Sequence, residues 1–204
     1  MDKIFCVSSQ IQNHMQVLYD FDLGSYYTRE QPVGTDTSWK RRINTSGALR
    51  IGYAARLVKQ AKRADLLVDL VDFLEKKGTD YVFQIAGEGE CSGLIGQFIS
   101  GKKLQDRVQL MGRLPKSQMD AFWKGQDVFV NVSEYEGTSL SMLEAMGYGC
   151  VPVVTDVSGA GEFIEHGKNG YICNVGDIKA IADCIAALAD DRELLKKFGT
   201  DAAG

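Results

Sequence analysis

The sequence predicts an α/β fold, a doubly wound parallel sheet covered by helices on both faces. Two observations carry that prediction. From Ala48 onward, short β-branched or aromatic runs alternate with segments whose apolar residues recur at helical spacing. That rhythm marks strand–helix–strand units rather than hairpins. The second observation is the stretch from Val128 to Thr155. An apolar run reaches a polar turn, SEYEGTS, then a short apolar helix pattern, then Gly147 and Gly149, then a β-branched run. This is one complete strand–loop–helix–strand unit with its loop at the carboxyl end of a strand, where open parallel sheets bind ligands.

In chain order, Ile4 to Val7 reads as a short strand ending in a Ser8-Ser9 pair able to cap a helix. Ile11, Met15 and Leu18 recur at helical spacing and predict a short helix to about Tyr19. From Asp20 to Ser46 the pattern is lost, and aspartates, glycines, Pro32 and the basic trio Lys40-Arg41-Arg42 mark loop or linker. This opening is one strand–helix unit and a connector, too little for a domain of its own. Strands are then expected at Leu49–Ala54, Tyr81–Ala86, Val108–Met111, Val128–Val132, Val151–Val154 and Tyr171–Cys173. Helices are expected at Arg63–Lys77, Leu94–Ser100, Ser117–Lys124, Ser139–Met146, Ala160–Glu165, Ile178–Ala189 and Asp191–Phe198. Crossovers between such strands are right-handed.

A length of 204 residues holds one large domain, or one domain plus a fragment of another. With 45% hydrophobic and 25% charged residues the chain has material for a sizeable core and a soluble surface. With a net charge of −4, no strong electrostatic pull toward nucleic acid or anionic membrane is expected. No run reaches membrane-spanning length, and Asp2, Gln10, Asn13 and His14 interrupt the apolar core an export signal needs. The chain is therefore expected to be cytoplasmic. Its five cysteines form no CxxC pair and sit mostly in apolar runs, which suits buried reduced thiols. His14 and His166 have no companion ligand pattern, so no zinc site is expected.

Three loops carry candidate chemistry. After the first regular strand come Arg56 and, six residues on, Lys62. A planar guanidinium and a point-charge ammonium on one loop suit a diphosphate. The plain alternative is surface charge at the start of an amphipathic helix, although cations in a first turn oppose the helix dipole. Lys59 competes with Lys62 for the role. After the second strand, Gly87-Glu88-Gly89-Glu90 permits either a close backbone approach to a ligand or a simple turn. It is not a dinucleotide fingerprint, because the third glycine would fall at Ser92. NAD binding is disfavoured. In the third loop Glu136 and Glu144 bracket the start of a helix entered through Gly137-Thr138-Ser139. Free N–H groups there suit a phosphate. Ser141 and Glu144 fit a capping box, yet a carboxylate within an apolar helix needs a partner if buried, and sugar or ribose hydroxyls would serve. Spacing alone leaves both readings open.

With those residues in view, the chain resembles the carboxyl-terminal, donor-binding domain of retaining GT-B glycosyltransferases of family 4, the group 1 glycosyltransferases. The matching pieces run in order: AARLVKQAKRADLL, FQIAGEGE, VQLMGRLP, DVFVNVSEYEGTSLSMLEAMGYGCVPVVT and the Gly167-x-x-Gly170 turn. They cover about residues 49 to 200. The resemblance implies a Rossmann-like domain over residues 48–204, preceded over residues 1–47 by the end of an acceptor-side domain and its linker. Pro32-Val33-Gly34-Thr35-Asp36 resembles the segment leading into that linker. The chain is thus expected to be a truncated piece of a longer enzyme, with little activity alone.

The resemblance also implies roles. Arg56 and Lys62 would hold the donor diphosphate, and Glu136 would face the transferred sugar. Gly137 and the backbone N–H groups of Thr138, Ser139 and Leu140 would bind phosphate. Glu144 would hold the ribose, and Gly112-Arg113-Leu114 would lie beside the base. No metal and no separate cofactor is implied, because Arg, Lys and helix dipole supply the positive charge. The NDP-sugar is a substrate, and the acceptor, a glycan or lipid hydroxyl, would be held by the preceding domain. The chain departs from the family pattern at Ala55 and Arg63, where glycines are usual, and at Thr138-Ser139, where aromatic-Gly is common. Two other functions fit the same architecture: a nucleotide-sugar epimerase, and a binding module without turnover.

Overall fold

The computed structural model describes residues 4–6, 26–28, 47–157 and 159–203. Strand β1 (Ile4–Cys6) pairs in parallel with β2 (Tyr26–Thr28), Ile4 opposite Tyr26 and Cys6 opposite Thr28. β2 falls within the stretch expected to be loop. Tyr26-Tyr27-Thr28 is too short to display an alternating pattern, although each residue type suits a strand. The helix expected to end near Tyr19 and the segment from Pro32 to Asp36 lie outside the described residues.

The other strands make one parallel sheet: β3 (Leu49–Ala54), β4 (Tyr81–Ala86), β5 (Val108–Gly112), β6 (Val128–Asn131), β7 (Val151–Thr155) and β8 (Tyr171–Cys173). Their spatial order is β5-β4-β3-β6-β7-β8. Between them run α1 (Leu67–Lys77), α2 (Ser92–Lys102), α3 (Lys116–Lys124) and α4 (Leu140–Gly147), with α5 (Ile178–Asp190) and α6 (Arg192–Ala203) at the end. The winding reverses between β3 and β6. The carboxyl ends of those two strands therefore bound the crevice where this class of sheet takes its ligands.

Each face of the sheet has its own apolar cluster. On one, Leu49, Ile51 and Tyr53 of β3 join Phe83, Ile85, Val130 and Val153 beneath α1, α2 and α5. On the other, Trp123 of α3 and Met142, Ala145 and Met146 of α4 cover Phe129 and Val154. Gly52 makes the second face possible. A Cβ there would lie 2.8 Å from Trp123 Cζ3, so the central strand gives up a side chain to admit the indole.

The helix expected over Ala160–Glu165 is a single 3-10 turn, Ala160–Glu162. It starts from Gly159 at φ 83° and contains Gly161, a poor helix former. The last helix instead continues past Phe198 to Ala203. Inside it the Thr200 hydroxyl donates to the Lys196 carbonyl at 3.0 Å, the bond open to a threonine within a helix. Among the described residues no helix is long and apolar enough to cross a membrane.

Candidate functional site

The loop after β3 and the loop after β6 meet at the crevice. Ala61 adopts the left-handed region, φ 63°, and its carbonyl accepts the N–H groups of Glu134 at 2.8 Å and Tyr135 at 3.2 Å. Those two bonds tie the loops together. Arg63 is also left-handed, at φ 47°. Its guanidinium lies 3.3 Å from both Asp65 and Glu134, so the side chain gains partners while the backbone is strained. Relieving such strain at Ala61, which has no side-chain partner to lose, has a defined outcome. Ala61→Gly raises stability by up to about 1 kcal/mol, the left-handed penalty less the entropy of glycine. Thermal unfolding reads this as a Tm rise of about 2–4 °C.

The tied loops bring Lys62 to Glu136. Lys62 Nζ is 2.5 Å from Glu136 Oε1, with the two side chains 19% and 11% exposed, too buried to be a solvated surface pair. Lys59 is exposed, its backbone N–H bonded to Glu90 at 2.8 Å. Of the two candidate lysines, Lys62 is the one that reaches the crevice. Glu136 has a second partner that sequence reasoning missed: Asn131, the last residue of β6, donates its amide to Oε2 at 2.5 Å. The signal was present, since a polar amide inside the apolar run VFVNV must find a buried partner. Below the loop Tyr53 is buried, its hydroxyl without a hydrogen-bond partner among the described residues. Burial, with Glu136 and Cys91 nearby, pushes the Tyr53 hydroxyl well above its ordinary pKa, so it remains a neutral phenol.

Helix α4 begins beside Glu136. Ser139 is its N-cap, with Oγ accepting from the Met142 N–H at 3.4 Å. The N–H groups of Leu140 and Ser141 have no acceptor within the helix. The capping box expected from Ser141 and Glu144 does not form, because the helix starts earlier and Ser141 already lies inside it. The Glu144 carboxylate, in the second turn of α4, makes no hydrogen bond or ion pair among the described residues. Arg56 is exposed, and its guanidinium likewise has no hydrogen-bond or ion-pair partner among the described residues. Gly112 ends β5, and Arg113 and Leu114 follow it on the same edge of the sheet, two strands from β3. Gly87 and Gly89 serve the chain itself. Their Cβ atoms would stand 1.9 Å from the Ala55 carbonyl oxygen and 2.3 Å from that of Leu57. The close approach those glycines permit is therefore made to the Arg56 loop.

A family model described as glycosyl transferases group 1 matches residues 36–203. The poly(ribitol-phosphate) alpha-N-acetylglucosaminyltransferase of Staphylococcus aureus (strain COL) is 35% identical over 155 residues, 74% of this chain and 30% of that protein. The N-acetyl-alpha-D-glucosaminyl L-malate synthase of Bacillus anthracis is 29% identical over 188 residues, 91% of this chain and 47% of that protein. The chain thus spans between 30% and 47% of the length of these two relatives. Among solved structures, an S. aureus TarM mutant in complex with fondaparinux, alpha-GlcNAc-glycerol and UDP matches with a TM-score of 0.86 and 26% identity, covering 100% of this chain and 40% of that one.

Proposed function

The chain belongs to the group 1 glycosyl transferases, and we propose that residues 48–204 form the donor-binding half of a retaining enzyme. That enzyme moves a hexosyl unit from an NDP-sugar to a glycan or lipid hydroxyl. The observation that carries this reading is the Lys62–Glu136 contact at the switch point, beside the N-terminus of α4. A cation beside helix N–H groups suits a diphosphate, and the neighbouring carboxylate suits sugar hydroxyls, which supports the reading. Arg56 supplies the second cation. Glu144 is open to the two ribose hydroxyls, and Gly112-Arg113-Leu114 flank the base. Gly137, Thr138, Ser139 and Leu140 give the phosphate its backbone contacts. As the leaving NDP gains charge, Arg56, Lys62 and the helix N-terminus stabilise it, so the reading calls for no metal. Residues 1–47 are proposed to belong to the acceptor side and its linker. UDP is the first nucleotide to try, because TarM was crystallised with it.

The test is calorimetric titration with UDP, GDP and ADP. Saturable binding of one nucleotide is expected, weakened about tenfold or more in Arg56→Ala and in Glu144→Ala. A folded chain that binds none of the three, or variants that bind as the unaltered chain does, would remove the donor site.

A further inference from the structure

We infer that Asn131 is the positioning residue that aims Glu136 at the donor sugar. The inference rests on the donor-site reading above and deepens it. Glu136 reaches the crevice from a loop, and a loop carboxylate holds one orientation only if both oxygens are fixed. Lys62 holds Oε1 and Asn131 holds Oε2, each at 2.5 Å. These two partners are not equivalent. Lys62 has a rival ligand, since a diphosphate in the crevice attracts the same ammonium. Asn131 has none, because it is 6% exposed and its other end is occupied. The Ser133 N–H donates to Asn131 Oδ1 at 2.8 Å. That bond fixes the amide orientation, so the NH2 group faces the carboxylate and donates to it. β6 supplies Asn131 from the rigid centre of the sheet, paired with Val154 of β7. When Lys62 turns to phosphate, Asn131 still holds Oε2 and leaves Oε1 directed into the crevice for a sugar hydroxyl.

The consequence is a separation of sugar recognition from nucleotide recognition. The experiment compares the affinities of UDP, UDP-GlcNAc and UDP-glucose by calorimetry for the unaltered chain and for Asn131→Ala and Asn131→Asp. The aspartate has the same shape and keeps an acceptor for the Ser133 N–H, but it sets a second carboxylate against Glu136. It therefore exchanges the donated bond for like-charge repulsion, while the alanine removes the donor without adding a charge. The readout is the ratio of UDP-sugar to UDP affinity, which loss of fold or of the phosphate site would not move. Both variants are expected to lower the ratio about tenfold, the effect of one hydrogen bond to a charged group. A ratio within twofold of the unaltered chain's, with UDP still bound, overturns the positioning role and leaves the donor site standing. Failure of the unaltered chain to bind UDP or either UDP-sugar overturns both.

Discussion

Gly87→Ala lowers the stability of this domain by about 2–6 kcal/mol, the sum of overpacking at about 1–3 and backbone strain at about 1–3. Two effects coincide at this position. The backbone adopts φ 144°, which side chains rarely allow, and a Cβ would stand 1.9 Å from the Ala55 carbonyl oxygen. Neither atom is the end of a flexible side chain, so one of the two loops must move. Both are held by a ladder that extends the sheet: the Leu57 N–H donates to Glu88 at 2.9 Å, and the Cys91 N–H to Leu57 at 2.9 Å. Against a usual total of about 5–15 kcal/mol, the loss is a large fraction. Urea unfolding is expected to show a midpoint far below that of the unaltered chain at the same slope. An unchanged midpoint would mean that the two loops part easily and that Arg56 is not held where the ladder puts it. Any Gly87→Ala protein that does fold carries Arg56 on a displaced loop, and its nucleotide affinity falls with its stability.

Most of the fold was legible because the strands bury most of their residues and so read as short, largely apolar runs. Leu49–Ala54 and Tyr81–Ala86 are legible at their observed bounds, the second ending at Gly87. Bounds failed where one residue decides between two local conformations. Gly161 shortens one helix to a single turn, while Gly199 and Thr200 fail to stop the last. In the site, the charged residues announced themselves through their spacing. Their coupling did not, since Lys62 and Glu136 are 74 residues apart and meet only because the winding reverses between β3 and β6. Asn131 was overlooked for the opposite reason. It sits inside a run that reads correctly as a strand, and strand membership hid the question of what its amide would bond. The left-handed conformation of Arg63 and its compensation are not legible in the sequence: Asp65 and Glu134 hold the arginine that takes the strained conformation.

Lys62→Ala is expected to reduce nucleotide affinity about 10–100-fold, the loss of one or two charge-assisted bonds to phosphate. The opposite variant decides what the pair does. If Lys62 is shared between Glu136 and an incoming diphosphate, the carboxylate competes with the nucleotide for the ammonium. Glu136→Gln removes that competition while keeping the shape and a hydrogen-bonding oxygen. UDP affinity then rises a fewfold, whereas UDP-sugar affinity falls relative to it, because the sugar has lost its carboxylate. Lys62→Ala and Glu136→Gln thus move UDP binding in opposite directions. Were the pair only a clasp between two loops, both substitutions would loosen the crevice and both would weaken UDP together. The burial of the pair sharpens the contrast. Removing the lysine leaves a carboxylate 11% exposed that keeps the Asn131 amide but has lost its counter-charge, a state that destabilises the loop as well. Removing the carboxylate's charge leaves an ammonium that needs an anion, and a diphosphate at the N-terminus of α4 provides one. Opposite signs in one titration series therefore identify Lys62 as a phosphate ligand held in reserve by Glu136.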